Sequence, residues 1–90
     1  NSAGALNYVN QIRSRSGIAA LTTLTDDILL AERGREMFAE GYRRSDLIRF
    51  GKYNDAWWAK DASNPSVNIF PIPQGQLDAN PDLVQNQGYN

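Results

Sequence analysis

The sequence predicts a mostly α-helical chain, with two to three helices in residues 1–51 and a long irregular strap with one short helix in residues 52–90. Three observations predict this division. Apolar residues recur at helical spacing in the first part, glycines stand where its helices would end, and all four prolines follow residue 51. Because a free-standing domain rarely holds so long an irregular stretch, we expect the strap to lie across helices, some of them supplied by other parts of a larger protein.

The first helix is expected over residues 3–16. Ser2 is a suitable N-cap, because its hydroxyl can accept a bond from a free backbone N–H, and Gly17 is suitable to end the helix. One face is apolar, with the spacing i, i+3, i+4 and i+7, and consists of Ala5, Tyr8, Val9 and Ile12. This face would pack inward while the opposite, polar face stays in water.

A second helix is expected to start after Thr25 as its N-cap. Asp26 and Asp27 then lie in the first turn, where negative charge interacts favourably with the helix dipole. The helix should run to about residues 39–40 and break near Gly41.

Two shorter helical segments should follow. One covers residues 45–50 and is stopped by Gly51, and the other covers residues 74–79 and ends before Pro81. Between them, the apolar side chains expected to face inward from an extended segment are those of Val67, Ile69 and Ile72.

Composition excludes several classes of function. The chain has no histidine and no cysteine, so serine–histidine catalysis, cysteine–histidine catalysis and a zinc site of the usual ligands are excluded within it. Its 9 basic and 10 acidic residues give a net charge of −1, which argues against nucleic-acid binding, since that needs a basic surplus. No apolar run approaches the ~20 residues of a membrane span. We therefore expect a non-enzymatic chain without a metal or cofactor.

The densest group of charges lies in residues 32–49. Glu32, Glu36 and Glu40 share one helix face, where like charges repel unless arginines offset them. The predicted structural ion network consists of Glu32, Arg35, Glu36, Arg43, Arg44, Asp46 and Arg49. The alternative is a catalytic carboxylate pair of the kind that hydrolyses glycosides. We favour the network, which would fasten the second helix to the third, because glycosidase carboxylates usually project from separate elements across a cleft.

Trp57 and Trp58 are the residues best suited to a sugar ligand, because flat aromatic faces stack on the apolar faces of sugar rings. The polar neighbours that would hold sugar hydroxyl groups are Asn54, Asp55 and Lys60. Adjacent side chains diverge by ~100° on a helix and ~180° on a strand, so the two indoles are not expected to form one platform. The alternative, which we favour, is that both tryptophans pack in a core.

Five segments resemble, in order, those of one protein family. Residues 5–13 resemble its LNxVRxRAG helix, and residues 28–36 resemble its ILxERxRE segment. Residues 40–52, EGYRRSDLIRFGK, are close to its EGxRRxDLIRFGK signature, and residues 69–81, IFPIPQGQLDANP, are close to its xFPIPxxExxxNP signature. Residues 86–89, NQGY, resemble its closing QNPGY. This is the SusD/RagB family of outer-membrane nutrient-binding lipoproteins from Bacteroidetes.

The resemblance implies that the chain is the C-terminal part of a much larger, mostly helical protein. The upstream part would hold a signal peptide, a lipidated cysteine that anchors the protein at the cell surface, and helical repeats. Family members bind glycans without cleaving them and work with a SusC-like TonB-dependent transporter. Gln76 and Gln87 depart from the signatures at positions that are commonly acidic and proline. Because the family's glycan-binding residues vary and lie largely outside this segment, no ligand residue is carried over by motif.

Two other functions stay open. The chain would act as a helical interaction or scaffold module if it docked on the transporter without contacting sugar. It would belong to a glycan-processing enzyme only if Glu32 or Glu36 were exposed in a cleft. Loss of sugar binding with transporter binding retained discriminates the nutrient-binding function from the scaffold function, and sugar hydrolysis would indicate the enzyme.

Overall fold

The computed structural model describes residues 2–89, and in that range the regular structure is helical, without a strand. The elements are α1 (Ser2–Arg15), α2 (Asp26–Glu36), α3 (Arg43–Arg49), a 3₁₀ helix (Pro65–Asn68) and α4 (Gln74–Ala79). The predicted fold class is therefore confirmed. The chain divides into two compact units, Asn1–Phe50 and Gly51–Asn90. In the described range, no helix is both long and apolar enough to span a membrane.

α1 ends in a Schellman motif built on Gly17. This glycine has a φ of 69°, and its N–H donates to the Ser14 carbonyl at 3.0 Å, while the Ile18 N–H donates to the Arg13 carbonyl at 2.9 Å. The predicted stop at Gly17 is confirmed. The prediction that Ser2 is the N-cap is wrong, because its backbone is already helical and it belongs to the first turn.

The apolar face of α1 is only partly covered within the first unit. Val9 is 8% exposed, whereas Tyr8 is 69% and Ile12 is 40% exposed. A groove of about 130 Å³ remains between α1 and α2, and its apolar lining consists of Val9, Ile12, Leu29 and Met37. Two of the four residues of this apolar face are therefore left exposed within the first unit.

The linker between α1 and α2 is held by side chains of α1. The Asn10 amide donates to the Leu21 carbonyl at 3.0 Å and accepts a bond from the Leu21 N–H at 2.8 Å, so it acts as a paired peptide group would. Arg13 Nε donates to the Ala19 carbonyl at 2.6 Å. These bonds satisfy backbone groups in a segment without regular structure.

α2 begins as predicted, with Thr25 as N-cap and two aspartates in the first turn. Thr25 Oγ1 accepts a hydrogen bond from the Ile28 N–H at 3.2 Å. The helix ends at Glu36, earlier than the predicted end at residues 39–40. The reason is Ala39, which has a φ of 62° and so cannot continue a right-handed helix.

α3 folds back onto α2 after the turn of residues 37–41. Gly41, with a φ of 79°, supplies the second left-handed residue of that turn. α3 starts at Arg43, two residues before the predicted segment, and the Phe50 N–H closes its last turn. Gly51, with a φ of 71°, confirms the predicted stop.

Few side chains are buried in the described range. The buried apolar residues are Val9 and Leu30, and the buried charged residue is Asp46, which is 5% exposed. Several large apolar side chains are instead more than two-thirds exposed, and they are Tyr8, Phe38, Trp58, Phe70 and Val84. Short chains build marginal cores in general, so polar contacts carry much of the order in each unit.

The second unit contains α4 at its predicted position and a 3₁₀ helix that was not predicted. Asn64 caps the 3₁₀ helix, since its Oδ1 accepts from the Ser66 N–H at 2.9 Å, and Pro65 fills the first position, where an N–H is not needed. The expectation of an inward-facing extended segment is wrong in part. Val67 lies in the 3₁₀ helix, and Ile69 is 51% exposed.

Candidate functional site

Asp46, the buried charged residue of α3, joins this helix to α2. Arg33 of α2 donates from Nε to Asp46 Oδ2 at 2.7 Å, and Arg49 donates from Nη2 to Oδ1 at 3.1 Å. The hydrogen bond from Arg33 is the main cause that lowers the pKa of Asp46 below its ordinary value of 3.8, and the charges of Arg33, Arg49 and Arg43 act in the same direction. The carboxylate is thus held in its ionised form.

Glu32 and Glu36 connect α2 to α1. Glu32 accepts hydrogen bonds from Arg13 of α1 and from Arg35 of its own helix, and its side chain is 12% exposed. Glu36 accepts a hydrogen bond from Arg15 of α1. The sequence placed Glu36 beside arginines at or after position 35, and that expectation is wrong because α1 lies against this end of α2.

These ion pairs bear directly on the catalytic alternative. The hydrogen bond from Arg35 is the main cause that lowers the pKa of Glu32 below its ordinary value of 4.5, and the charges of Arg35 and Arg13 act with it. A general acid that works near neutral pH needs a raised pKa instead. The environment of Glu32 therefore favours a structural ion pair over glycoside hydrolysis.

Arg43 binds the backbone of α2 and, in the contacts described, no carboxylate. Its Nη1 donates to the Leu30 carbonyl at 2.8 Å. A Cβ at Gly34 would lie 2.9 Å from the same nitrogen, so the glycine leaves room for the guanidinium. Gly34 was expected to allow close approach of a helix or of the strap, and what approaches is an arginine of α3. Arg44 is half-buried on that helix.

The structure brings together part of the predicted network and adds three members to it. Glu32 forms an ion pair with Arg35, and Asp46 forms one with Arg49, and all four residues belong to the predicted network. The added members are Arg13 and Arg15 of α1, which lie outside the charge group of residues 32–49, and Arg33, which lies within that group. Their pairs join residues 19, 21 and 13 positions apart, and no local spacing signals such pairs. Within residues 2–89, no group of three or more potential metal ligands is assembled.

The two tryptophans lie in a tight turn of the second unit. Trp57 and Lys60 exchange two backbone hydrogen bonds of 3.0 Å each. Ala59, the third residue of the turn, has a φ of 64°, which is uncommon for alanine. Trp58 occupies the tip and is 93% exposed, whereas Trp57 at the base is 44% exposed. The favoured prediction that both tryptophans pack in a core is therefore wrong within the described residues.

Lys60 is engaged inside the loop that carries the tryptophans. Its Nζ donates to the Asp55 and Asp61 carbonyls at 3.0 Å each and to Ser63 Oγ at 3.3 Å. The same ammonium lies 4.3 Å from the centre of the Trp57 ring, which is within cation–π range. Lys60 therefore holds the loop together.

Asn54 and Asp55, the other proposed hydroxyl-binding neighbours, differ in their surroundings. The Asn54 amide donates to Ser63 Oγ and to the Asn64 carbonyl at 3.2 Å each. Asp55 is exposed, and only its backbone carbonyl is used by Lys60. Of the polar neighbours named from the sequence, Asp55 is the one whose side chain faces solvent.

Residues near the end of the chain bind the FPIP segment, residues 70–73, through hydrogen bonds from their side-chain amides to its backbone. The Gln85 amide donates to the Ile72 carbonyl at 2.9 Å and accepts from the Ile72 N–H at 2.8 Å. The Asn86 amide donates to the Phe70 carbonyl at 2.7 Å. Sequence reasoning missed Gln85 and Asn86 as structural residues, because side-chain to backbone pairing 13 or 16 positions away leaves no periodic pattern.

Tyr89 and Gly88 extend this contact. The Tyr89 hydroxyl donates to the Ile69 carbonyl at 2.7 Å. Gly88 has a φ of 92°, and a Cβ there would collide with the Ser66 side chain. Both signatures that the second unit carries are thus used for internal contacts.

Comparison with known proteins places these features in a family. The model of the SusD family matches residues 1–89. Starch-binding protein SusD of Bacteroides thetaiotaomicron is 36% identical to this chain over an alignment 95 residues long. The alignment covers 94% of this chain and 17% of that protein. SusD-like protein P38 of Formosa agariphila is 31% identical to this chain over an alignment 98 residues long. The alignment covers 94% of this chain and 20% of that protein.

This chain spans about a fifth of the length of the curated relatives that it matches. The match to the family model nevertheless covers nearly every residue, including all the segments that form the α2–α3 contacts and the bonded FPIP segment. The chain therefore belongs to the SusD family.

Proposed function

We propose that this chain is a segment of a non-catalytic glycan-binding protein of the outer membrane, which delivers oligosaccharide to a SusC-like TonB-dependent transporter. The observation that carries the proposal is the family match over residues 1–89, together with a relative named for binding starch. We further propose that the protein is anchored at the cell surface by a lipid in a part of the polypeptide upstream of this chain.

The geometry of the first unit supports binding over catalysis. Its carboxylates at Glu32, Glu36 and Asp46 are paired with arginines, and their pairs join one helix to the next. The pKa of Glu32 is lowered mainly by the hydrogen bond from Arg35 and that of Asp46 mainly by the hydrogen bond from Arg33. Charges used in this way stabilise a scaffold and are poorly suited to proton transfer near neutral pH.

The proposal is tested with the full-length protein in two measurements. Affinity electrophoresis through gels that contain starch, or another soluble polysaccharide, gives glycan binding, and product analysis after long incubation gives hydrolysis. We expect retarded migration with at least one polysaccharide and no release of reducing sugar. Binding to none of a broad polysaccharide panel would contradict the proposal, and released oligosaccharides would favour the enzyme.

Partnership with the transporter needs a separate measurement. The full-length protein is purified from native membranes with an affinity tag, and the co-purified proteins are identified by mass spectrometry. We expect a TonB-dependent transporter in near-stoichiometric amount. A protein that retains the transporter but binds no glycan would instead be the scaffold module that docks without sugar contact.

A further inference from the structure

The loop of residues 53–64 carries one indole, that of Trp58, at the tip of a turn whose backbone is closed by hydrogen bonds. The two backbone bonds between Trp57 and Lys60 close the turn, and the left-handed conformation of Ala59 sets its direction. Trp58 at the tip is 93% exposed. A large apolar ring is costly to leave in water, so in the full-length protein either a ligand or another part of the polypeptide covers it.

The base of this turn is rigid because several polar groups converge on it. Lys60 Nζ bonds two backbone carbonyls and one hydroxyl. The Asn54 amide bonds Ser63 and Asn64, and the Ser63 N–H donates to the Asn54 carbonyl at 3.0 Å. The backbone that carries the ring therefore needs little ordering when a ligand stacks on the ring, which is the advantage of preorganisation.

Trp57 is unsuited to the same role. The Lys60 ammonium lies over its ring at 4.3 Å from the ring centre, so that face already has a partner. Trp57 also supplies both backbone bonds at its end of the turn. It is therefore part of the support and Trp58 is the displayed residue.

We propose that Trp58 stacks on a sugar ring of the bound glycan, with the exposed carboxylates of Asp55 and Asp61 accepting hydrogen bonds from its hydroxyl groups. Both aspartates are exposed, and both place a backbone carbonyl within 3.0 Å of Lys60 Nζ. The indole and the two carboxylates thus come from one short loop. This inference rests on the proposed function and assigns a contact to this chain.

The surroundings of the indole favour a sugar over a protein partner. Binding hot spots between proteins are aromatic residues enclosed by a ring of further contacts. The neighbours of Trp58 in the turn are Trp57 and Lys60, which contact each other, and Ala59, which is too small to enclose the ring. Asp55 and Asp61 are exposed residues of the same loop. Sugar sites combine a flat apolar face with a few hydrogen-bonding groups, and this loop carries both kinds of exposed residue.

The test replaces Trp58 by alanine and by phenylalanine in the full-length protein. Affinity for the polysaccharide that the wild type binds is measured by isothermal titration, and Tm is measured by calorimetry. The matched control is Phe70→Ala, which removes another exposed aromatic ring of the same unit. We expect Trp58→Ala to weaken Kd about tenfold with Tm within about 1 °C, Trp58→Phe to recover part of the affinity, and the control to bind as the wild type.

Each other result overturns the inference in a recognisable way. Unchanged affinity in Trp58→Ala, with the wild type binding, means that the glycan is held elsewhere. A lower Tm with unchanged affinity means that the rest of the polypeptide covers this indole. Loss of transporter co-purification with unchanged affinity indicates a protein contact. If the wild type binds no polysaccharide at all, the proposed function itself fails.

Discussion

At the scale of single residues, two carboxylates carry the pH dependence of this chain. Asp46 and Glu32 both have a pKa lowered by arginines, mainly through hydrogen bonds from Arg33 and Arg35 respectively. A group whose pKa is lower in the folded state than in the unfolded state stabilises the fold above its unfolded pKa. That stability is lost as pH falls toward the folded value.

We expect the first unit to lose stability in acid below about pH 4.5, where unfolded Glu32, with an ordinary pKa of 4.5, and then unfolded Asp46, at 3.8, take up protons before their folded counterparts. The variant Asp46→Asn should lower Tm at pH 7 and flatten the decline of Tm between pH 4.5 and pH 3. Asp78→Asn, which alters an exposed carboxylate of α4, is the control. Parallel pH profiles for the wild type and Asp46→Asn would contradict this.

A second residue-scale expectation concerns Ala59. Its left-handed φ of 64° costs an alanine free energy that a glycine does not lose. Ala59→Gly should therefore raise the free energy of unfolding by about 0.5–1 kcal/mol, as measured by urea denaturation of the full-length protein. Ala62→Gly serves as the control and should be neutral or destabilising, because its φ is not positive. A loss of stability in Ala59→Gly would show that the turn is not strained.

At the scale of elements, the structure follows the sequence where local signals act. Thr25, Gly17 and Gly51 fix helix ends by caps and by left-handed φ, and each was predicted from its own neighbourhood. The end of α2 was missed because Ala39 looks like a helix residue and is turned by α3 packing against α2. The FPIP contacts were missed because Gln85 reaches its partner across 13 positions. The ion pair between Arg13 and Glu32 was missed in the same way, because these residues lie 19 positions apart.

The contact between α2 and α3 predicts how a side chain at Gly34 would change the stability of the protein. A glycine inside a helix costs about 1 kcal/mol relative to alanine, but a Cβ here would displace the Arg43 guanidinium from Leu30. Gly34→Ala should thus be neutral or destabilising alone, yet stabilising by about 1 kcal/mol in an Arg43→Ala background. The double-mutant cycle is measured by urea denaturation. Equal effects in both backgrounds would show that the arginine does not need the space.

The hydrogen bonds between Gln85 and the FPIP segment predict a loss of stability when this side chain is replaced. Gln85→Leu removes both hydrogen bonds to Ile72 and leaves a half-buried peptide group without them. We expect a loss of about 1–2 kcal/mol in stability and faster hydrogen exchange at Ile72. Gln74→Leu, which removes an exposed bond to Asp78, is the matched control. Unchanged exchange at Ile72 would contradict the role of Gln85.

At the scale of the whole molecule, the exposed apolar surface is the dominant feature. Phe38 is 83%, Val84 is 82% and Phe70 is 70% exposed, and the relatives are about five times longer than this chain. The family match and the helical fold followed from sequence signatures. Which individual side chains are buried did not follow from the sequence, because burial depends on residues far away in the sequence or outside it.

The isolated 90-residue segment should accordingly fold poorly by itself. Soluble monomers seldom expose contiguous apolar patches beyond a few hundred Å², so we expect strong binding of an apolar dye, a broad thermal transition and association that increases with concentration. Light scattering and calorimetry at two concentrations measure this. A sharp, concentration-independent transition would show that the segment is an autonomous domain.

We infer that Asp46 holds the helices together and takes no part in binding glycan. The most direct test measures glycan affinity at 20 °C, together with Tm, for the full-length wild type and Asp46→Asn. We expect the wild type to bind a polysaccharide and Asp46→Asn to keep its Kd within about twofold while its Tm falls by about 5 °C. That result means that the charges of this chain hold the helices of a glycan-binding protein. Absence of glycan binding in the wild type, or lost affinity in Asp46→Asn at unchanged Tm, would contradict it.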